Sequence, residues 1–220
     1  MPPLPAGLDP LSPLLGVAGL VWGLAADRIS SRWPAHEDGS VRKVDWRTLV
    51  VAVFGALALA AIPIRFGDPA QRLLFGAFFA ACVFLMATDL DQKLMPDVVT
   101  LPMILICALA LAWGGDSLVN RSAAWTAVLG AILIPGFMFV VSLPFGEDAL
   151  GLADVKFLVA VGFLTGLIRT AITAFAGAMI GGAAIFALLL MRRITLKSYV
   201  PFGPFLILGA VWAVLIPASS

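Results

Sequence analysis

Two short polar segments hold six carboxylates. ATDLDQKLMPD (87–97) carries Asp89, Asp91 and Asp97, and GEDALGLADVK (146–156) carries Glu147, Asp148 and Asp154. Asp89 follows the apolar run 73–86 closely, and Asp154 directly precedes another apolar run. Each is therefore expected where a hydrophobic helix meets the membrane boundary, not in mid-loop. A carboxyl group there is partly desolvated, and a second one nearby leaves one protonated and one ionised near neutral pH. Such a pair can hydrolyse an amide. The protonated group polarises the carbonyl, and the ionised group takes a proton from the attacking water. That chemistry needs no metal, cofactor or covalent intermediate. The plain alternative is that Asp154 only complements the macrodipole at a helix N-terminus.

The elements that must position these groups follow from composition. Of 220 residues, 61% are hydrophobic and 12% charged, against about 25% charged in a soluble domain. The fold class is an all-α, polytopic membrane protein embedded in a lipid bilayer. Eight spans are predicted, at about 11–26, 47–64, 72–88, 98–114, 123–144, 152–168, 171–191 and 200–217. Residues 150–191 must be two helices, because one would run ~60 Å, twice the hydrocarbon core. Arg169 and Thr170 are the expected turn between them. Pro63, Pro102 and Pro135 fall inside spans, where neighbouring groups can satisfy the freed backbone. Gly177 and Gly181 predict a close helix contact. The run 14–26 has no basic segment before it and no cleavage site after it, so it is read as a retained helix.

Orientation follows the basic residues. With loop 27–46 in the cytoplasm, ten of the fourteen Lys and Arg residues lie on that side, and both acidic segments reach the same face. A net charge of +1 gives no case for nucleic acid. Cys82 and Cys107 lie in apolar runs without a CxxC pair, so zinc has no support. His36, the one histidine, reads as a surface residue. The middles of the spans carry no ionisable residue and no repeat relates the halves, which argues against a transporter.

The remaining polar residues divide by position. On a helix Asp91 points about 200° away from Asp89, so it faces water or a salt-bridge partner. Asp97 follows Pro96 and either caps the fourth helix or orients substrate. Lys156 either reaches lipid headgroups or tunes the site. Glu147 and Asp148 read as loop charges. Arg192, Arg193 and Lys197 form a positive anchor. Pro201, Gly203 and Pro204 predict a bent start to the last helix, packed near the site.

Three features taken together resemble the type IV leader peptidases, the prepilin peptidases of the GxGD class of membrane aspartyl proteases. They are D-x6-P-D from Asp89 to Asp97, GLADVK from Gly151 to Lys156, and VPFGPFLILGA at 200–210. The resemblance runs from about residue 72 to the end. It implies that Asp89 and Asp154 are the catalytic pair, supported by Pro96, Asp97, Gly151, Ala153 and Lys156. It implies prepilin-like membrane substrates, cut at the cytoplasmic face of the bacterial inner membrane, by one membrane-embedded domain spanning 1–220. A suitable substrate has a hydrophobic helix with a short charged leader.

Two departures from the family stand out. Ala153 holds the place of the Gly before the second catalytic Asp, and alanine excludes a positive-φ backbone there. Residues 27–46 stand where common members carry a cytoplasmic segment with two CxxC pairs linked to zinc. The family's second activity, methylation with S-adenosylmethionine, often accompanies that longer form and is not carried over. An inactive homologue acting in assembly is the runner-up reading. Oligomeric state is not legible in the sequence.

Overall fold

In lipid a chain must satisfy its backbone groups internally, which leaves helices or closed barrels. The computed structural model describes residues 9–35, 39–113, 124–145, 151–193, 195 and 200–216. Among the described residues the chain is helical, with no strand. The helices are α1 (Leu11–Ser30), α2 (Trp46–Arg65), α3 (Pro69–Gln92), α4 (Asp97–Trp113), α5 (Ala124–Ser142), α6 (Leu152–Thr165), α7 (Leu167–Leu190) and α8 (Gly203–Leu215). A 3-10 turn, Leu143–Phe145, follows α5. Helices α2, α3, α5 and α7 are long and apolar enough to cross a membrane, and α4 and α8 are shorter apolar helices. The chain is an all-α membrane protein. His36, Arg121, Glu147, Asp148 and Lys197 lie outside the described residues.

Local chemistry sets the helix starts. Asp45 caps α2 by accepting from the Arg47 N–H at 2.9 Å. Asp68 caps α3, accepting from the Ala70 and Gln71 N–H groups at 2.8 and 3.1 Å, with Pro69 in the first turn. Pro63, Pro102 and Pro135 do lie inside helices, in α2, α4 and α5.

The expected turn at Arg169 and Thr170 is displaced. The break falls at Gly166, whose φ of +84° is a conformation that favours glycine. Arg169 and Thr170 sit in the first turn of α7 instead. The Arg169 guanidinium donates to the Ala213 and Val214 carbonyls at 2.7 and 3.2 Å, closing the end of α8. As a result α6 has 14 residues, about 21 Å, short of the ~30 Å hydrocarbon core.

Helix α3 is the centre of the bundle. Its Phe79, Cys82, Val83 and Leu85 are fully buried, alongside Phe157, Leu158 and Val161 of α6 and Leu206, Ile207 and Ala210 of α8. Phe78 and Phe157 stack with ring centroids 6.4 Å apart, joining α3 to α6. Trp22 of α1 donates its indole N–H to the Ala80 carbonyl at 2.9 Å. The expected glycine contact is present: a methyl group at Gly177 would stand 3.0 Å from Leu206 Cα, so α7 and α8 meet at backbone distance. On the outside, Trp125, Ile132, Phe137 and Val140 of α5 are exposed apolar groups suited to lipid.

Candidate active site

The described helices place Asp89 and Asp154 at one end of the bundle. Helix α3 runs past its predicted end at 88 and stops at Gln92, so Asp89 lies in its last turn and not beyond it. Lys93 then adopts the left-handed conformation, with φ of 56°, and donates its N–H to the Asp89 carbonyl at 2.9 Å. Asp154 lies in the first turn of α6. Both side chains are buried, with residue exposures of 6% and 8%. They are close enough that the charge of Asp89 acts on Asp154.

Gly203, the first residue of α8, backs Asp89. A methyl group there would stand 2.6 Å from Asp89 Oδ2 and would also collide with Met95 Cε. Only a glycine leaves the carboxyl group its place. The predicted bent start of the last helix is therefore packed against the first aspartate. Asp89 Oδ2 is buried without a hydrogen-bond partner among the described residues. Such an atom is costly in a structural role and is common where chemistry is done. Gly151 stands behind Asp154: its carbonyl accepts the Asp154 N–H at 3.0 Å, and a methyl group there would meet Asp154 Oδ2 at 3.4 Å.

The supporting residues fall around this pair. Pro96 is buried, and its carbonyl accepts the N–H groups of Val99 and Thr100 at 3.0 and 3.1 Å. Pro96 therefore holds the position before α4, and Asp97 is the first helical residue rather than its cap. The Asp97 carboxylate faces Lys156 Nζ at 2.6 Å, tying the start of α4 to the start of α6. Asp97 is thus the ion-pair partner of Lys156. Ala153 lies within α6, in helical backbone, and is not among the positive-φ residues. Alanine at this position of the motif is therefore unstrained.

Sequence reasoning missed a charged cluster beside the site. Asp91 is a salt-bridge partner and does not face water: its side chain is 2% exposed. Arg42 Nε lies 2.6 Å from Asp91 Oδ1, and Arg47 Nη1 lies 3.4 Å from it. Arg42 also pairs with Asp27 and, at 2.5 Å, with Asp45. Asp27 is fully buried and accepts from Arg28 and, at 2.7 Å, from Thr48 Oγ1. Burial works to lower the Arg42 pKa, but the Asp27 hydrogen bond and the charges of Asp27, Asp91 and Asp45 outweigh it and raise it. One signal was available. Asp27 ends an apolar run just as Asp89 does.

Comparison with known proteins decides the family. Residues 76–187 match the type IV leader peptidase family. The chain belongs to that family. Two relatives named prepilin leader peptidase/N-methyltransferase are 29% identical to it. The one from Burkholderia pseudomallei aligns over 73% of this chain and 52% of its own length, and the one from Aeromonas hydrophila over 96% and 67%. A third of the same name, from Pseudomonas putida, is 25% identical over 79% of this chain and 60% of its own length. The chain thus spans about half the length of the Burkholderia relative. No solved structure matches it. The matched segment contains Asp89, Asp97, Gly151, Ala153, Asp154 and Lys156.

Proposed function

We propose that this leader peptidase family member is an aspartic endopeptidase with Asp89 and Asp154 as its catalytic pair. It removes the leader from prepilin-like membrane proteins at the cytoplasmic face of the bacterial inner membrane. The observation that supports the reading is that two buried carboxyl groups, in the last turn of α3 and the first turn of α6, lie within electrostatic reach of each other at one end of an apolar bundle. Family membership and the names of the relatives support the substrate class.

The chemistry follows from two such groups sharing one proton. The protonated carboxyl donates a hydrogen bond to the scissile carbonyl oxygen. The ionised one accepts a proton from water, whose oxygen attacks the carbonyl carbon. The tetrahedral intermediate collapses as the C–N bond breaks, and the leaving nitrogen takes a proton from the pair. The bundle supplies position. A substrate helix lies in the lipid against the apolar exterior, and its leader emerges as extended chain beside the two acids. The charge bias of the loops supports a cytoplasmic site. Ala153, being helical, gives no reason for inactivity.

The test is cleavage by the purified full chain of a prepilin-like substrate in lipid, with the product's new N-terminus read by mass spectrometry. Wild type should release the leader, and neither Asp89→Asn nor Asp154→Asn should. Cleavage by either variant at the wild-type rate would defeat the reading.

A further inference from the structure

The loop between α1 and α2 reaches across to the last turn of α3. Arg42 makes the central contact, and its three guanidinium nitrogens each take a different carboxylate. Nη1 hydrogen-bonds Asp45 and Nη2 hydrogen-bonds Asp27, while Nε lies 2.6 Å from Asp91 as a charge contact outside hydrogen-bond geometry. These join the end of α1, the cap of α2 and the end of α3. The Arg42 side chain is 12% exposed, and those of Asp91 and Asp27 are 2% and 0%. Gln92 adds a second tie, donating to the Ser30 and Pro34 carbonyls at 3.1 and 2.7 Å.

Asp91 lies two residues past Asp89 in the same turn. Within a helical turn, fixing the azimuth of one side chain fixes the other, about 200° round. The last turn of a helix has carbonyls without intrahelical partners and frays unless held. A reacting group must keep its place to within ~0.5 Å, and a 1 Å error can cost about 10²-fold in rate.

We propose that Arg42 is a positioning residue for Asp89, acting through Asp91, so that the loop joining α1 and α2 is part of the reaction site's support. The proposal rests on the reading of Asp89 as catalytic. Lysine cannot replace this arginine, because one ammonium nitrogen cannot meet three separated carboxylates at once.

The test uses purified full chain bearing Arg42→Lys, Asp91→Asn or both, with Asp89→Asn as control. Three quantities are read: cleavage kinetics, thermal unfolding, and hydrogen exchange in peptides covering 88–93. Each single variant should lower kcat by about tenfold while KM stays within about twofold. Exchange at 88–93 should rise on the order of tenfold, with the other helices unchanged. The double variant should fall no further than the worse single one, because both break one contact. Unchanged exchange in the last turn would overturn the proposal. So would wild-type kcat in Arg42→Lys, or a loss that tracks general unfolding of all helices. If wild type fails to cleave, or Asp89→Asn cleaves as well as wild type, the catalytic reading has failed. The exchange result still decides whether Arg42 holds the turn.

Discussion

Asp89 lies in the last turn of a 24-residue helix, and Asp154 in the first turn of a 14-residue one. The surroundings differ as much as the helices. The Asp89 end is held on two sides: the backbone at Gly203 leaves no room for a side chain beside its carboxyl, and two residues on Asp91 is ion-paired with Arg42. The Asp154 end has Gly151 behind it at ordinary contact distance and a half-exposed Lys156–Asp97 pair beside it. Breaking a buried ion pair costs about 3–5 kcal/mol, whereas an exposed pair contributes about 0–1 kcal/mol. One half of the site is therefore anchored and the other lightly held. The difference teaches that the two proposed catalysts should be equally necessary while their supports should not.

Four sets of substitutions probe that contrast, in falling order of effect. Asp89→Asn and Asp154→Asn should each lower kcat on the order of 10³-fold or more, since each removes a proton-transfer group. A large effect at one and a small effect at the other would break the symmetry of the pair. Gly203→Ala should cost about 10²-fold in kcat, because its methyl group displaces Asp89. Gly151→Ala, at 3.4 Å from Asp154 Oδ2, should cost less than about fivefold. Steady-state kinetics on both variants measures the contrast directly, and equal losses would remove it. Lys156→Ala should cost less than about fivefold and lower stability by at most about 1 kcal/mol, read from rates and denaturant unfolding. Ala153→Gly should be the mildest, leaving cleavage within about twofold and reducing stability by about 0.5–1 kcal/mol, as glycine does inside a helix. A large gain in activity from that change would mean that the alanine is impairing the enzyme.

Much of this arrangement was legible in the chain. The apolar runs announced the helices, because in lipid a run of that length has few other ways to satisfy its backbone. The two aspartates, each beside an apolar run, announced the candidate pair. The helix boundaries were less legible. Helix α3 continues through Asp89, Asp91 and Gln92 because the left-handed Lys93 stops it there. The polar residues Arg169 and Thr170 suggest the break between α6 and α7, but backbone geometry at Gly166 governs it. The Arg42 cluster was hidden for another reason. Its members Asp27, Arg42, Asp45 and Asp91 are scattered over three elements, and a positive-inside bias accounts for such an arginine without naming its partner. Helical spacing turns Asp91 away from Asp89, but it does not show the loop that packs over that face.

The central claim is that Asp89 and Asp154 act as one unit. The most direct measurement is kcat for leader removal by Asp89→Asn, Asp154→Asn and the double variant, with folding of each checked by thermal unfolding. The account predicts equally deep losses in the two single variants and no further loss in the double one, as groups acting together are strongly non-additive. Independent, multiplying losses, or substantial activity in either single variant, would contradict it.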